Sequence, residues 1–166
     1  MSDPVVSRPH MPGYGVVGPE EGRGLLPWSW AEERLARSHD YWLATTRPDG
    51  RPHVMPVWGV WMLGAAWCSS APESRKARNI AGRPEVVITT DDPSQPVVVE
   101  GIAHRVTAAE TVEAFTGWVN DKYHTDLPVT FFTGNACFRI EPCRAFGLDE
   151  SDFTGTPTRW DLAPGT

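Results

Sequence analysis

The chain has 166 residues, 40% apolar and 22% charged, which suits one soluble domain with a sizeable core. Its 21 acidic and 15 basic side chains leave a net charge of −6, which excludes the broad basic surface that nucleic acid or an anionic membrane requires. No apolar run approaches the ~18 residues of a membrane span and no secretion-signal core opens the chain, so a cytoplasmic protein is expected.

Residues 1–27 contain five prolines and five glycines and show neither helical nor strand periodicity. They read as an irregular arm, either a loose tail or a cover over a partner subunit. Residues 28–166 read as a single domain. Ser29-Trp-Ala-Glu32 fits a capping box, and a helix is predicted to follow to about His39. "YWLATTR" is a strand and "PDGR" a hairpin turn, with Gly50 at the position that needs positive φ. "PHVMPVWGVWML" continues as one long strand in which Pro56, lacking an N–H, marks a bulge or an edge. A turn at Leu63-Gly64 leads to "AAWCSS".

Ser70-Ala-Pro-Glu73 is a second capping-box pattern, with Pro72 early in a short helix and Gly82 at its stop. "EVVITT" and "VVVEGIAHRVT" are strands separated by the turn "DDPSQP". Residues 109–123 form a helix with Val112, Phe115, Val119 and Tyr123 on one face. "NACFRIEPCRAFGLD" is a last long strand, with Pro142 at a bulge or edge, and "TPTRWDL" closes the chain. Strands joined mostly by hairpins exclude a doubly wound sheet. The predicted class is mainly antiparallel β, a barrel with a few peripheral helices.

Cys68, Cys137 and Cys143 form no CxxC pair and no histidine pair has zinc spacing, so reduced thiols and no metal site are expected. Tryptophan is in large excess, at eight residues. Such side chains fill a small barrel, an interface or a planar-ligand pocket. Glu100, in the apolar run "VVVEGI", is either outward-facing or a buried acid paired with Arg105, Arg139 or a ligand.

Arg75, Lys76 and Arg78 crowd the N-terminal half of the short helix, where the macrodipole favours acids. Helix N–H groups, the Ser70 and Ser74 hydroxyls and the Arg75 and Lys76 charges would together surround a phosphate.

The ordered set "ATTRPDGRPHVMPVWGVW", "SSAPESRKARNIAGRPEVVITT", "VVVEGIAHRV" and "TPTRW" resembles the flavin/deazaflavin oxidoreductase family. That is the split β-barrel (FMN-binding-like) group related to pyridoxamine 5'-phosphate oxidases. The resemblance implies that Ser74, Arg75 and Lys76 grip the cofactor phosphate, and Ser70 and Asn79 are expected to bind the cofactor beside them. It implies that Val54, Met55, Pro56, Val57 and Trp58 lie along a tricyclic ring, and that Trp160 reaches the cofactor of the partner subunit; His53 is either an ordinary half-buried strand histidine or a polar contact to that ring. It further implies a homodimer with the cofactor groove at the interface and a small-molecule substrate. The short length and the "TRW" ending resemble the branch that uses coenzyme F-420, whose anionic tail Arg47, Arg51 and Arg78 would meet. FMN is the alternative cofactor. A non-catalytic flavin, deazaflavin or haem carrier is the alternative role.

Overall fold

A computed structural model of the chain describes residues 4–162; the outermost parts of the two predicted regions, 1–3 and 163–166, lie outside that range. The elements run β1 (Val5–Ser7), α1 (Trp28–Arg37), β2 (Tyr41–Thr46), β3 (Pro52–Val57), β4 (Gly59–Met62), β5 (Ala65–Ser70) and α2 (Arg75–Gly82). They continue with β6 (Glu85–Thr90), β7 (Val97–Val106), α3 (Ala109–Tyr123), α4 (Val129–Thr133), β8 (Ala136–Gly147) and β9 (Thr158–Asp161). All pairings are antiparallel. The strand order is β1-β9-β8-β7-β6-β2-β3, with β4 joined through β5 to β8.

The sheet divides along β8. One edge of β8 pairs with β7 over its length; the other pairs first with β5, from Ala136 to Ile140, and then with β9, from Arg144 to Gly147. The switch coincides with the predicted irregularity at Pro142: Gly101 faces Pro142 while Glu100 faces Arg144, so Cys143 is the extra residue of a bulge. Pro56 instead marks an edge. It pairs in register with Trp42, and β3 is the last strand of its row.

The long strand predicted from residue 52 breaks at Trp58, because its first half pairs with β2 and its second with β5. Both helix starts also differ from the capping boxes. Pro27 caps α1, its fixed φ of −69° leading straight into the first turn. Ala71 to Ser74 form a turn closed by Ser74 N–H to Ala71 O (2.9 Å), so α2 starts only at Arg75, with Ser74 accepting from Ala77 N–H. The helix α4 was not anticipated.

Two apolar clusters share the middle strands. The larger contains Leu35, Tyr41, Leu43, Ile88, Val99, Ile140 and Trp160. The smaller lies where α3 and α4 cover β4, β5 and the start of β8, and contains Val60, Trp67, Phe115, Val119 and Phe132. Trp61, Ala66 and Cys68 face the first cluster; Val60, Ala65 and Trp67 face the second. These strands are buried on both faces, so their sequences are continuously apolar rather than alternating.

The arm from residue 4 onward lies on its own chain. β1 pairs with β9, and the Arg8 guanidinium donates to the carbonyls of Gly18, Glu21, Gly155 and Pro157. Arg23 donates to Asp149 (2.7 Å), which also accepts from Gln95 and from the Ser151 hydroxyl and N–H. The Ser151 hydroxyl first, then Arg23, hold the Asp149 carboxyl down at about 2. Its folded value lies below its unfolded one, so its contribution is complete above about 4 and is lost as pH falls through about 2. Asp149→Asn is expected to unfold with a weaker pH dependence across that acid interval, measured by denaturant titration at a series of pH values.

Candidate functional site

β3, the end of β5, α2, α3 and α4 enclose a cleft of ≈ 500 Å³. Six of the predicted residues line it: Pro56, Val57, Trp58, Ser70, Ser74 and Lys76. The register explains the convergence. β3 diverges from β4 at Trp58, and the gap between β3 and β5 is spanned by the turn that opens α2.

At the polar end, the Ser70 and Ser74 hydroxyls are 2.7 Å apart, and Ser74 Oγ accepts from Ala77 N–H at 3.2 Å. The first N–H groups of α2 have no intrahelical acceptor. The half-buried Lys76 and the exposed Arg75 make no side-chain hydrogen bond or ion pair among the described residues. His53 stands beside them; its pKa is lowered by burial first, then by Arg47, Lys76 and Arg75. Cations with no acidic partner at the start of a helix make a cradle for an anion.

The supplementary cations divide. Arg51 is paired with Asp49 (2.8 Å) and Arg78 with Glu73 (2.6 Å), which leaves Arg47, near Asp49 but in no ion pair among the described residues, as the candidate for a further anionic group.

The other end of the cleft is apolar. Phe115, Val119, Leu127, Phe131 and Phe132 line it. Its α4 wall comes from "PVTFFTG", whose adjacent phenylalanines between Pro128 and Gly134 were the only sequence signal for it.

Several predicted site residues lie elsewhere. Trp160 is fully buried, donates from Nε1 to Leu26 O (3.1 Å) and packs between Trp28 and Trp30, so it does not reach a cofactor. The terminal segment becomes β9, and alternation there turns Trp160 into the core. Asn79 lies beneath α2 rather than in the cleft wall: its amide donates to Thr45 Oγ1 (2.9 Å), and Thr45 in turn donates to His53 O (3.4 Å). Val54 faces Ala44 across the ladder, and Val54 and Met55 are exposed further along the edge strand. Glu100 is outward-facing opposite Arg144, not a buried acid.

Among the described residues, no helix is long and apolar enough to cross a membrane. The family model of pyridoxamine 5'-phosphate oxidase matches residues 30–136. An F420 reductase structure is 28% identical, over 69% of this chain and 94% of that one, with a TM-score of 0.58. The conserved hypothetical protein Rv2991 of Mycobacterium tuberculosis is 21% identical, over 85% of this chain and 93% of that one, with a TM-score of 0.67. A heme-binding protein from Mycobacterium smegmatis is 19% identical, over 76% of this chain and 59% of that one, with a TM-score of 0.57. No curated protein matches. The antiparallel sheet that divides at β8 is thus a split barrel, and the chain belongs to the pyridoxamine 5'-phosphate oxidase family.

Proposed function

We propose that this chain is an oxidoreductase that uses the deazaflavin coenzyme F-420 to pass hydride to a small or medium organic substrate. The observation that carries the reading is the meeting, on one cleft, of Lys76, which has no acidic partner among the described residues, the Ser70 and Ser74 hydroxyls, and an exposed flat Trp58. Arg75 and Lys76, whose side chains have no partner among the described residues, fit a phosphate, and the likeness to an F420 reductase favours the deazaflavin over FMN. Arg47, which forms no ion pair among the described residues, fits a further anionic group of the longer coenzyme.

A bound flavin or deazaflavin supplies the hydride chemistry itself, so the protein need only bind, orient and exclude water. Lys76, Ser70 and Ser74 would hold the phosphate, Trp58 and Val57 would lie against the ring, and Phe131, Phe132 and Leu127 would keep water from the apolar end. His53, whose pKa is lowered by burial first and then by nearby cations, offers a ring nitrogen beside the cradle. Three free cysteines, Cys68, Cys137 and Cys143, suit the reducing cytoplasm.

The same proposal includes a homodimer. It is supported by the outer sheet face, where exposed Trp42 and Val54 adjoin a groove of ≈ 440 Å³ between Ala44, Val87 and Ile102. Separate titrations with FMN and F-420, followed by fluorescence and then by hydride transfer to a quinone panel, test the reading. Tighter binding of F-420 with turnover is expected, and a dimer in light scattering. Preference for FMN overturns the cofactor, and binding of neither overturns the function.

A further inference from the structure

The two ends of α3 and β3 meet at Trp58. Tyr123, the last residue of α3, lies parallel to Trp58, with 4.3 Å between ring centroids and 6° between planes. Its hydroxyl accepts from Gly59 N–H (2.9 Å) and donates to His39 O (2.6 Å). Burial and the nearby Asp40 push the Tyr123 hydroxyl up to about 12, so it remains a donor at neutral pH. The neighbouring Lys122 donates from Nζ to Gly59 O at 2.6 Å.

Both backbone groups of Gly59 are therefore tied to the end of α3. Gly59 itself admits no side chain, because a Cβ there would stand 2.7 Å from the Trp67 carbonyl oxygen and 3.2 Å from the Tyr41 ring. Trp58 is thus held on one side through the chain and on another through a ring, yet it is 49% exposed and lines the cleft. Restraint of this kind on an exposed tryptophan is not needed by the core, since Trp58 belongs to neither apolar cluster.

We propose that Tyr123 is a positioning residue: it backs one face of Trp58 so that the opposite face stands fixed along the cleft as a stacking surface for a planar ligand ring. The Gly59 tether sets the height of that surface, and Lys122 secures the tether. Fixing the ring plane in advance removes the ordering cost that a freely rotating tryptophan would add on binding. It also fixes which face of the ligand ring is covered and which is left toward Phe131 and Phe132. The inference rests on the reading of the cleft as a flavin-type site and names the device that orients the ring there.

The probe is whichever of FMN or F-420 the native chain binds, and the readouts are affinity and the quenching of bound-ring emission by a stacked tryptophan. Tyr123→Phe keeps the stack but loses both hydrogen bonds. It is expected to lower the thermal midpoint while leaving quenching intact. Tyr123→Leu removes the backing and is expected to lose quenching and weaken binding about two- to tenfold, the range for one aromatic pair. Unchanged quenching and affinity in Tyr123→Leu overturn the inference, as does equal loss of quenching in Tyr123→Phe. If Tyr123→Leu does not fold, Trp58→Leu, at a half-exposed position, is expected to fold and to lose quenching; retained quenching overturns the stacking surface. A native chain that binds neither coenzyme sinks the cofactor reading, whereas normal native binding with indifferent variants sinks this inference alone.

Discussion

Replacing Lys76 with glutamate is expected to weaken coenzyme binding at least about tenfold while leaving the coenzyme-free protein as stable as before, or slightly more so. The two halves have separate causes. A charge-assisted hydrogen bond is worth about 1.5–3 kcal/mol, and a carboxylate in its place adds repulsion of the phosphate. In the coenzyme-free chain, however, Lys76 has no partner to lose among the described residues. It stands in the first turn of α2, where an acid gains about 0.3–1 kcal/mol from the macrodipole. Affinity and stability should therefore move in opposite directions. Arg78→Ala serves as the contrast. Arg78 is exposed and already paired with Glu73, so affinity should change by less than about twofold, as for an ordinary surface pair. Isothermal titration and thermal denaturation on the same preparations check both. Unchanged affinity in Lys76→Glu would remove the phosphate from the cradle.

Trp160→Ala is expected to cost about 3–5 kcal/mol of folding stability, the range for deleting a large buried aromatic. That is a substantial part of the ~5–15 kcal/mol that usually separates folded from unfolded chains. Trp160 is wholly buried. It packs against Trp28 at 5.7 Å and Trp30 at 6.4 Å, and its indole N–H holds the Leu26 carbonyl. Beside it, Leu26 N–H donates to Thr158 Oγ1 at 2.9 Å, so the loss would also loosen the arm from β9. Binding by the molecules that remain folded should be unchanged. Guanidinium titration and coenzyme titration below the unfolding transition measure the two effects. A large drop in affinity at preserved stability would return Trp160 to the binding site.

The opposite fates of Trp58 and Trp160 show what was legible. Both are aromatic residues in strand-like sequence, and the resemblance assigned both to the cofactor. Trp58 does line the cleft, whereas Trp160 is sealed by Trp28 and Trp30 from the other end of the chain. Which face of a strand is covered depends on what packs there, and that partner was more than a hundred residues away. The α2 cradle was the most readable feature, because Ser70, Ser74, Arg75 and Lys76 are close in sequence and local geometry alone brings them together. The apolar wall of α4 and the Tyr123 backing of Trp58 were not readable, since each depends on a contact across the fold.

By itself the sequence determined most strands and hairpins between residues 41 and 147, the antiparallel class, the positive φ at Gly50 and the unusual cations of α2, all of which arise from periodicity and chemistry among near neighbours. Only the tertiary structure decided that β3 and β4 part at Trp58, that the arm lies along β9 of its own chain, and that Arg51 and Arg78 form ion pairs while Arg47 forms none among the described residues. Long-range strand pairing sets these outcomes. A ladder is chosen by the burial of both partners, and one strand's residues carry no record of which partner that will be.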